Sequence, residues 1–259
     1  MWPDRRLLDL LKIEHPILLA PMAGAIDAEI AIAVAQGGGL ASVPCAMLSV
    51  EKGREQVNII RQRVRAPINI NFFCHQPVEA DPVREAGWRQ RLAPYYRELG
   101  LDPAAPVNVA NRAPFDAAMC ALIEELKPEV VSFHFGLPEP AVVAAIKSAG
   151  IFILSSATTV AEARMLEQRG ADAIIAQGTE AGGHRATFSG VDIAMQPGLF
   201  SLLPQVVDAV RIPVIAARRP HRGGGVHARR QRRATGHRLH ALRGSQHVRR
   251  ASRRSRRGG

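Results

Sequence analysis

Cysteine is scarce in this 259-residue chain. Cys45, Cys74 and Cys120 are the whole supply, and their spacing fits neither paired disulfides nor a metal site. That excludes a disulfide-stapled secreted scaffold and points to a reducing, cytoplasmic setting. Long apolar runs are missing too, so no segment is expected to span a membrane. The N-terminus carries Asp4, Arg5, Arg6, Asp9, Lys12 and Glu14, which interrupt any apolar stretch and argue against a secretory signal. The sharpest absence lies at the other end. Residues 218–259 contain no Lys, Asp or Glu, yet hold fifteen Arg and five His. Removing those fifteen leaves 19 basic residues against 23 acidic ones, so residues 1–217 carry about −4 and the formal +11 belongs to the tail. A basic balance ordinarily suggests nucleic acid or an anionic membrane. Here it describes one segment. The expectation is a folded body, 1–217, and a disordered Arg-rich tail, 218–259.

The body is rich in Ala, Val, Ile and Leu, enough to bury a substantial core. Short apolar runs alternate with helix-like stretches. Strands are expected at 17–20, 39–43, 67–73, 130–135, 151–155, 173–177 and 213–217. Helices are expected near 28–36, 50–63, 114–126, 138–149 and 159–169, with a polar excursion at 76–112. Strands that are apolar on both faces indicate a parallel sheet covered by helices. Gly150 and Gly170 each follow a helical stretch and precede a strand, the signature of a left-handed helix cap. Seven such units predict an α/β fold of the TIM (β/α)8 type, incomplete because its last strand–helix unit is missing. An open doubly wound sheet is the alternative, weakened by the lack of GxGxxG after the first strand.

Candidate chemistry gathers where those strands end, since barrel active sites sit at the C-terminal mouth. Ala176-Gln177-Gly178-Thr179-Glu180-Ala181-Gly182-Gly183-His184-Arg185 follows the sixth strand. Gly182 and Gly183 let backbone approach a planar ring or phosphate, and His184 can shuttle a proton near neutral pH. Arg185 reads as a solvated surface residue. Ala20, Pro21 and Met22 end the first strand and bring backbone amides to the mouth. Asn69 and Asn71 alternate onto one face of the third strand, and each needs a partner if buried. Both are placed to point into the barrel, and for Asn69 a partner in the neighbouring backbone is an equal alternative. His75 and His134 end strands and are candidates for a substrate pocket. No metal site is expected.

At these residues the chain closely resembles the nitronate monooxygenase family, also called 2-nitropropane dioxygenases. The resemblance runs through LLAPMAG, INFFCH, PYYRELGLD, VVSFHFGLP, SSATTVAEA, AQGTEAGGH and PVIAA, about residues 14–217. It implies a TIM barrel binding FMN non-covalently. It implies oxidation of alkyl nitronates by O2 to a carbonyl compound and nitrite. His184 matches the family's active-site His, acting as base on a neutral nitroalkane or anchor of a nitronate. Asn71, Gln177 and Gly182 match FMN-binding positions, and Ala20–Met22 matches the loop against the isoalloxazine ring. Small-molecule nitronate or nitroalkane and O2 are the implied partners.

The chain departs from that pattern after Ala217, where the family continues with Gly-Gly and here Arg218-Arg219-Pro220 stands. The family's two loops there hold the FMN phosphate. No residue from 218 onward shows strand alternation or a helical stripe. The departure reads as a shift of reading frame. Arg-Arg written CGG-CGG, displaced by one nucleotide before the C of a Pro codon, reads GGC-GGC, or Gly-Gly. An allowed codon choice for Arg243–Arg253 likewise yields a family-like Ala-Glu-Ala-Asn-Thr-Ser-Ala-Ala-His-Arg. Competing readings are an FMN-dependent enoyl reductase of related fold, a nucleic-acid-binding protein acting through its tail, and a product with no activity.

Overall fold

A computed structural model describes every residue except 1, 3, 78–80, 106–113, 191, 218–226 and 230–259. Six strands run parallel in sequence order: β1 (Ala41–Val43), β2 (Ile68–Phe73), β3 (Val130–His134), β4 (Phe152–Ala157), β5 (Ala173–Gln177) and β6 (Val214–Ala217). The run expected as the first strand contributes a single parallel bridge, Leu18 to Leu40, beside β1. Consecutive parallel neighbours with helical crossovers are the topology of a (β/α)8 barrel. Among the described residues no pairing joins Leu18 to the far edge, so the barrel is curled but open.

That far edge carries a surprise. β7 (His227–Arg229) pairs antiparallel with β6, matching Val214 with Arg229 and Ala216 with His227. The sequence showed no strand there because the ladder uses backbone groups and asks for no side-chain alternation over so short a run. A parallel strand would be needed at that position to continue the barrel. The rest of the tail lies outside the described residues, as does the expectation that it is disordered.

The helices are α1 (Arg6–Leu11), α2 (Ala28–Gln36), α3 (Val50–Arg63), α4 (Pro82–Glu98), α5 (Ala117–Leu126), α6 (Pro140–Ser148), α7 (Val160–Gln168) and α8 (Leu199–Ala209). Short polar residues start them. Asp27, Ser49, Asp116 and Thr159 accept from the amides of Ile30, Lys52, Met119 and Glu162, pairing donors the first turn leaves free. Gly150 and Gly170 adopt the expected left-handed conformation, φ 78° and 101°. There the amides of Ile151 and Ala171 reach back to the carbonyls of Ile146 and Leu166. α1, α4 and α8 were not anticipated; α4 lies inside the stretch expected as a polar excursion, and no residue of it is buried, so no apolar stripe marks it. The apolar positions 199, 202, 206 and 207 of α8 mark its buried stripe.

Strand alternation sorts the core into two layers. Ile68, Ile70, Phe72, Val131, Phe133, Ile153, Ile174 and Val214 face outward and pack beneath the helices. Leu40, Val130, Leu154, Ala173 and Ile215 face the lumen, where Leu7, Leu8 and Leu11 of α1 join them. α1 therefore stoppers the N-terminal end and leaves the C-terminal mouth as the accessible one. Arg6 fastens it by donating to the Arg211 carbonyl at 3.1 Å. No helix among the described residues is long and apolar enough to cross a membrane.

Candidate active site

The mouth holds a cavity of about 400 Å³. Its lining unites segments far apart in sequence: Ala20–Ala23, Asn69 and Phe73 of β2, His134 of β3, Gln177 of β5, and Ala181–His184. Of the expected site residues, Ala20, Pro21, Met22, Gln177, Gly182, Gly183, His184 and His134 all meet there. His75 does not. It lines a neighbouring hollow with Cys74 and Cys120, and touches the main site only through the Phe73 and Phe135 rings. Asn71 is not among the lining residues; its amide donates to the Ser132 carbonyl and hydroxyl at 3.1 and 3.2 Å. Asn69 points into the barrel, one of the two expectations, and lines the cavity. Its amide bonds the Ser42 hydroxyl at 3.0 Å, while its own carbonyl oxygen is buried without a partner.

His184 sits exposed at the lip. Its ring lies 5.2 Å from Phe73 and 6.1 Å from Phe135, centroid to centroid. Phe135 holds that place at a cost. Its φ of 65° is left-handed, unusual for a bulky residue and worth about 1–3 kcal/mol of strain. The edge-to-face contact with Phe73, at 5.3 Å, helps fix it.

Behind the lip, the loop after β5 is tied down by hydrogen bonds. Gln177 accepts from the Ala186 amide at 2.9 Å and donates to the His184 carbonyl at 3.3 Å. Arg185 is no solvated surface residue. It is half-buried and donates to the carbonyls of Gln177 and Gly178 and to Gln196. The sequence could not show this, because the partners lie on its own folded-back loop and on a turn eleven residues away. Glu180 accepts from the Leu199 amide at 2.9 and 3.0 Å, so the loop caps α8, whose N-cap Gly198 has no side chain to do so.

His134 is half-buried and pairs with the Ser156 hydroxyl through Nδ1. Burial, with the neighbouring His184 second, pushes its pKa down from 6.5 to about 4. The unfolded chain binds a proton at this site between those values and the folded chain does not. Stability from this residue is therefore full above pH 6.5 and is lost as pH falls toward 4. Urea unfolding across that range should show the slope, and His134→Asn should flatten it. An unchanged slope in the variant would assign the effect elsewhere.

The matches with known proteins agree with this geometry. The family model for nitronate monooxygenase matches residues 4–238, about twenty residues past the limit the motifs suggested. The chain belongs to the nitronate monooxygenase family. It is 42% identical over 225 residues to a nitronate monooxygenase of Paraburkholderia phytofirmans, covering 86% of this chain and 62% of that protein. It is 39% identical to one from Pseudomonas aeruginosa, with 86% and 64% covered. A solved nitroalkane oxidase from Streptomyces ansochromogenes superposes with a TM-score of 0.70 at 36% identity, covering 82% of this chain and 60% of its own. The chain thus spans rather less than two thirds of these relatives.

The pocket fits the ring portion of a flavin. A Cβ built on Gly183, at φ 76°, meets nothing within 4 Å, so that side is open to a flat group. Pro21, Met22 and Leu19 supply apolar wall, and the orphan Asn69 oxygen asks for a donor. The phosphate is a different matter: no Lys or Arg is among the described residues lining the pocket.

Proposed function

We propose that this chain is built for FMN-dependent oxidation of alkyl nitronates by O2, giving a carbonyl compound and nitrite. The observation that carries the reading is convergence: Ala20–Met22, Gln177 and Gly182–His184 line one cavity at the barrel mouth. When bound, FMN supplies the redox chemistry. The protein supplies position and proton transfer. Ala20, Pro21, Met22, Gly182 and Gly183 bed the ring, and Gln177 and Asn71 brace the strands and loop beneath it. His184 takes the proton from a neutral nitroalkane, or as a hydrogen-bond donor holds the anionic nitro oxygens of a nitronate. His134, kept neutral, lines the substrate side. Three unpaired cysteines suit a reducing cytoplasm.

The test is the visible spectrum of the purified chain during an FMN titration, followed by nitrite release from an alkyl nitronate. Bound oxidised flavin shows bands near ~370 and ~450 nm. Weak, titratable binding with nitrite formation is expected, since the family's phosphate loops lie beyond Ala217, where this sequence departs. Tight stoichiometric flavin would show that the phosphate site survives. A chain that never gains flavin would overturn the cofactor assignment.

A further inference from the structure

A buried carboxylate outside the pocket points at the same loop. Glu162, on the first turn of α7, is fully buried yet has no cationic partner within ion-pair distance among the described residues. Six hydrogen-bond donors converge on it. Its Oε2 accepts from the Thr158 amide and hydroxyl, both at 2.7 Å. Its Oε1 accepts from the Phe188 amide at 2.9 Å, the Ser189 amide and hydroxyl at 3.1 and 2.9 Å, and the Thr187 hydroxyl at 3.3 Å. Burial alone would raise its pKa, but these bonds outweigh it and the net shift is downward, so the group stays ionised.

Thr159 and Glu162 have the spacing of a helix capping box, which would send the carboxylate back to the Thr159 amide. Only half the box forms. The Glu162 amide bonds the Thr159 hydroxyl, while the carboxylate turns to the loop that carries His184. A second route runs the same way. The Thr158 hydroxyl accepts from Gln196 at 3.2 Å, and Gln196 accepts from Arg185, the residue after His184. The loop is thus held on one side by Gln177 and on the other by Glu162.

We infer that Glu162 is a positioning residue that sets the place of the His184 imidazole at the mouth, acting through residues 185–189. The inference rests on the proposed role of His184 as base. With glutamine in its place, one of the two acceptor oxygens becomes an NH2 set against donors, so the grip shared by Thr158 and residues 187–189 is broken on one side and the loop relaxes. A displacement of about 1 Å in a reacting group lowers turnover about 10²-fold.

The test compares wild type, Glu162→Gln, His184→Asn and the double variant as the full chain loaded with FMN. Glu162→Gln should lower turnover of a neutral nitroalkane about 10²-fold, with a smaller loss on the preformed nitronate, which needs no base. The double variant should lose little beyond His184→Asn, because both changes remove the same function. Independent, multiplying losses would overturn the inference. Two readouts need no activity. Hydrogen exchange at the Phe188 and Ser189 amides should accelerate at least about tenfold in Glu162→Gln. The NMR contact between the His184 and Phe73 rings should weaken with it. Unchanged exchange and an unchanged ring contact would sink the inference even if wild type proved inactive. A wild type without nitronate turnover would sink the functional reading and leave the positioning role to those two measurements. Should Glu162→Gln fail to fold, Ser189→Ala removes one of the six donors and must give the same pattern on a smaller scale.

Discussion

Replacing His184 by Asn is expected to lower kcat/KM for a neutral nitroalkane by about 10²–10⁴-fold, the usual contribution of a positioned general base. The expectation follows from what else the pocket offers. No carboxylate is among the described residues that line it. The other imidazole, His134, has its pKa pushed to about 4 and is a poor proton acceptor near neutrality. Its hydroxyl partner Ser156 further fixes its orientation. Proton abstraction thus has one candidate, and Asn keeps the size and hydrogen-bonding capacity while removing the basicity. A preformed nitronate has already lost that proton. Its turnover should fall by about tenfold or less, the scale of a lost charge-assisted hydrogen bond. Steady-state rates on both substrates decide the matter. Equal losses would make His184 an anchor rather than a base, and no loss on either would remove it from the site.

Gly178→Ala is expected to cost about 2–4 kcal/mol of stability, combining overpacking with loss of a helix cap, and most of the activity. A Cβ at Gly178 would clash with the Leu199 amide nitrogen and with a Glu180 carboxylate oxygen. Neither the backbone nor the capping carboxylate can yield independently. The Leu199 amide is the donor that Glu180 accepts, so the methyl group pushes apart the pair that joins the loop to α8. Arg185 also donates to the Gly178 carbonyl, so the strain passes directly toward His184. Chemical denaturation together with kcat would check this. Wild-type stability in Gly178→Ala would mean that the loop and α8 slide apart at little cost. Gly183→Ala makes the contrast, because its Cβ meets open space and only its φ of 76° is strained.

Much of the site was readable in the sequence because the barrel places its chemistry by a local rule. Each apolar run ends at the mouth, so the residues just after it are brought together whatever their separation along the chain. Ala20–Met22, Gln177 and Gly182–His184 could be picked out on that basis, and all line the cavity. The failures share a cause. Arg185 looked exposed, but the backbone folds back so that its guanidinium meets the carbonyls of Gln177 and Gly178. Asn69 and Asn71 looked equivalent by alternation. Both amides find a serine on a neighbouring strand, Ser42 for Asn69 and Ser132 for Asn71, but the Asn69 oxygen is left without a donor among the described residues. Glu162 drew no attention in the sequence, because its carboxylate takes donors from Thr158 and from residues 187–189, more than twenty residues ahead. α1 was missed because six residues are too few to show a helical period, although three of its four leucines, Leu7, Leu8 and Leu11, fill the barrel floor.

The sequence by itself determined the alternation of strands and helices, the family, the segments that reach the mouth, and the break in character after Ala217. Those follow from hydrophobic period, cap residues and short motifs, all of which act over a few neighbours. Tertiary structure alone decided which polar groups are satisfied and which are left open. It kept His134 neutral, buried an orphan oxygen on Asn69, turned Glu162 toward the His184 loop, and let β7 add antiparallel to the edge of β6. Hydrogen-bond partners and burial are properties of surfaces that meet only when the sheet has curled, and no local pattern encodes them.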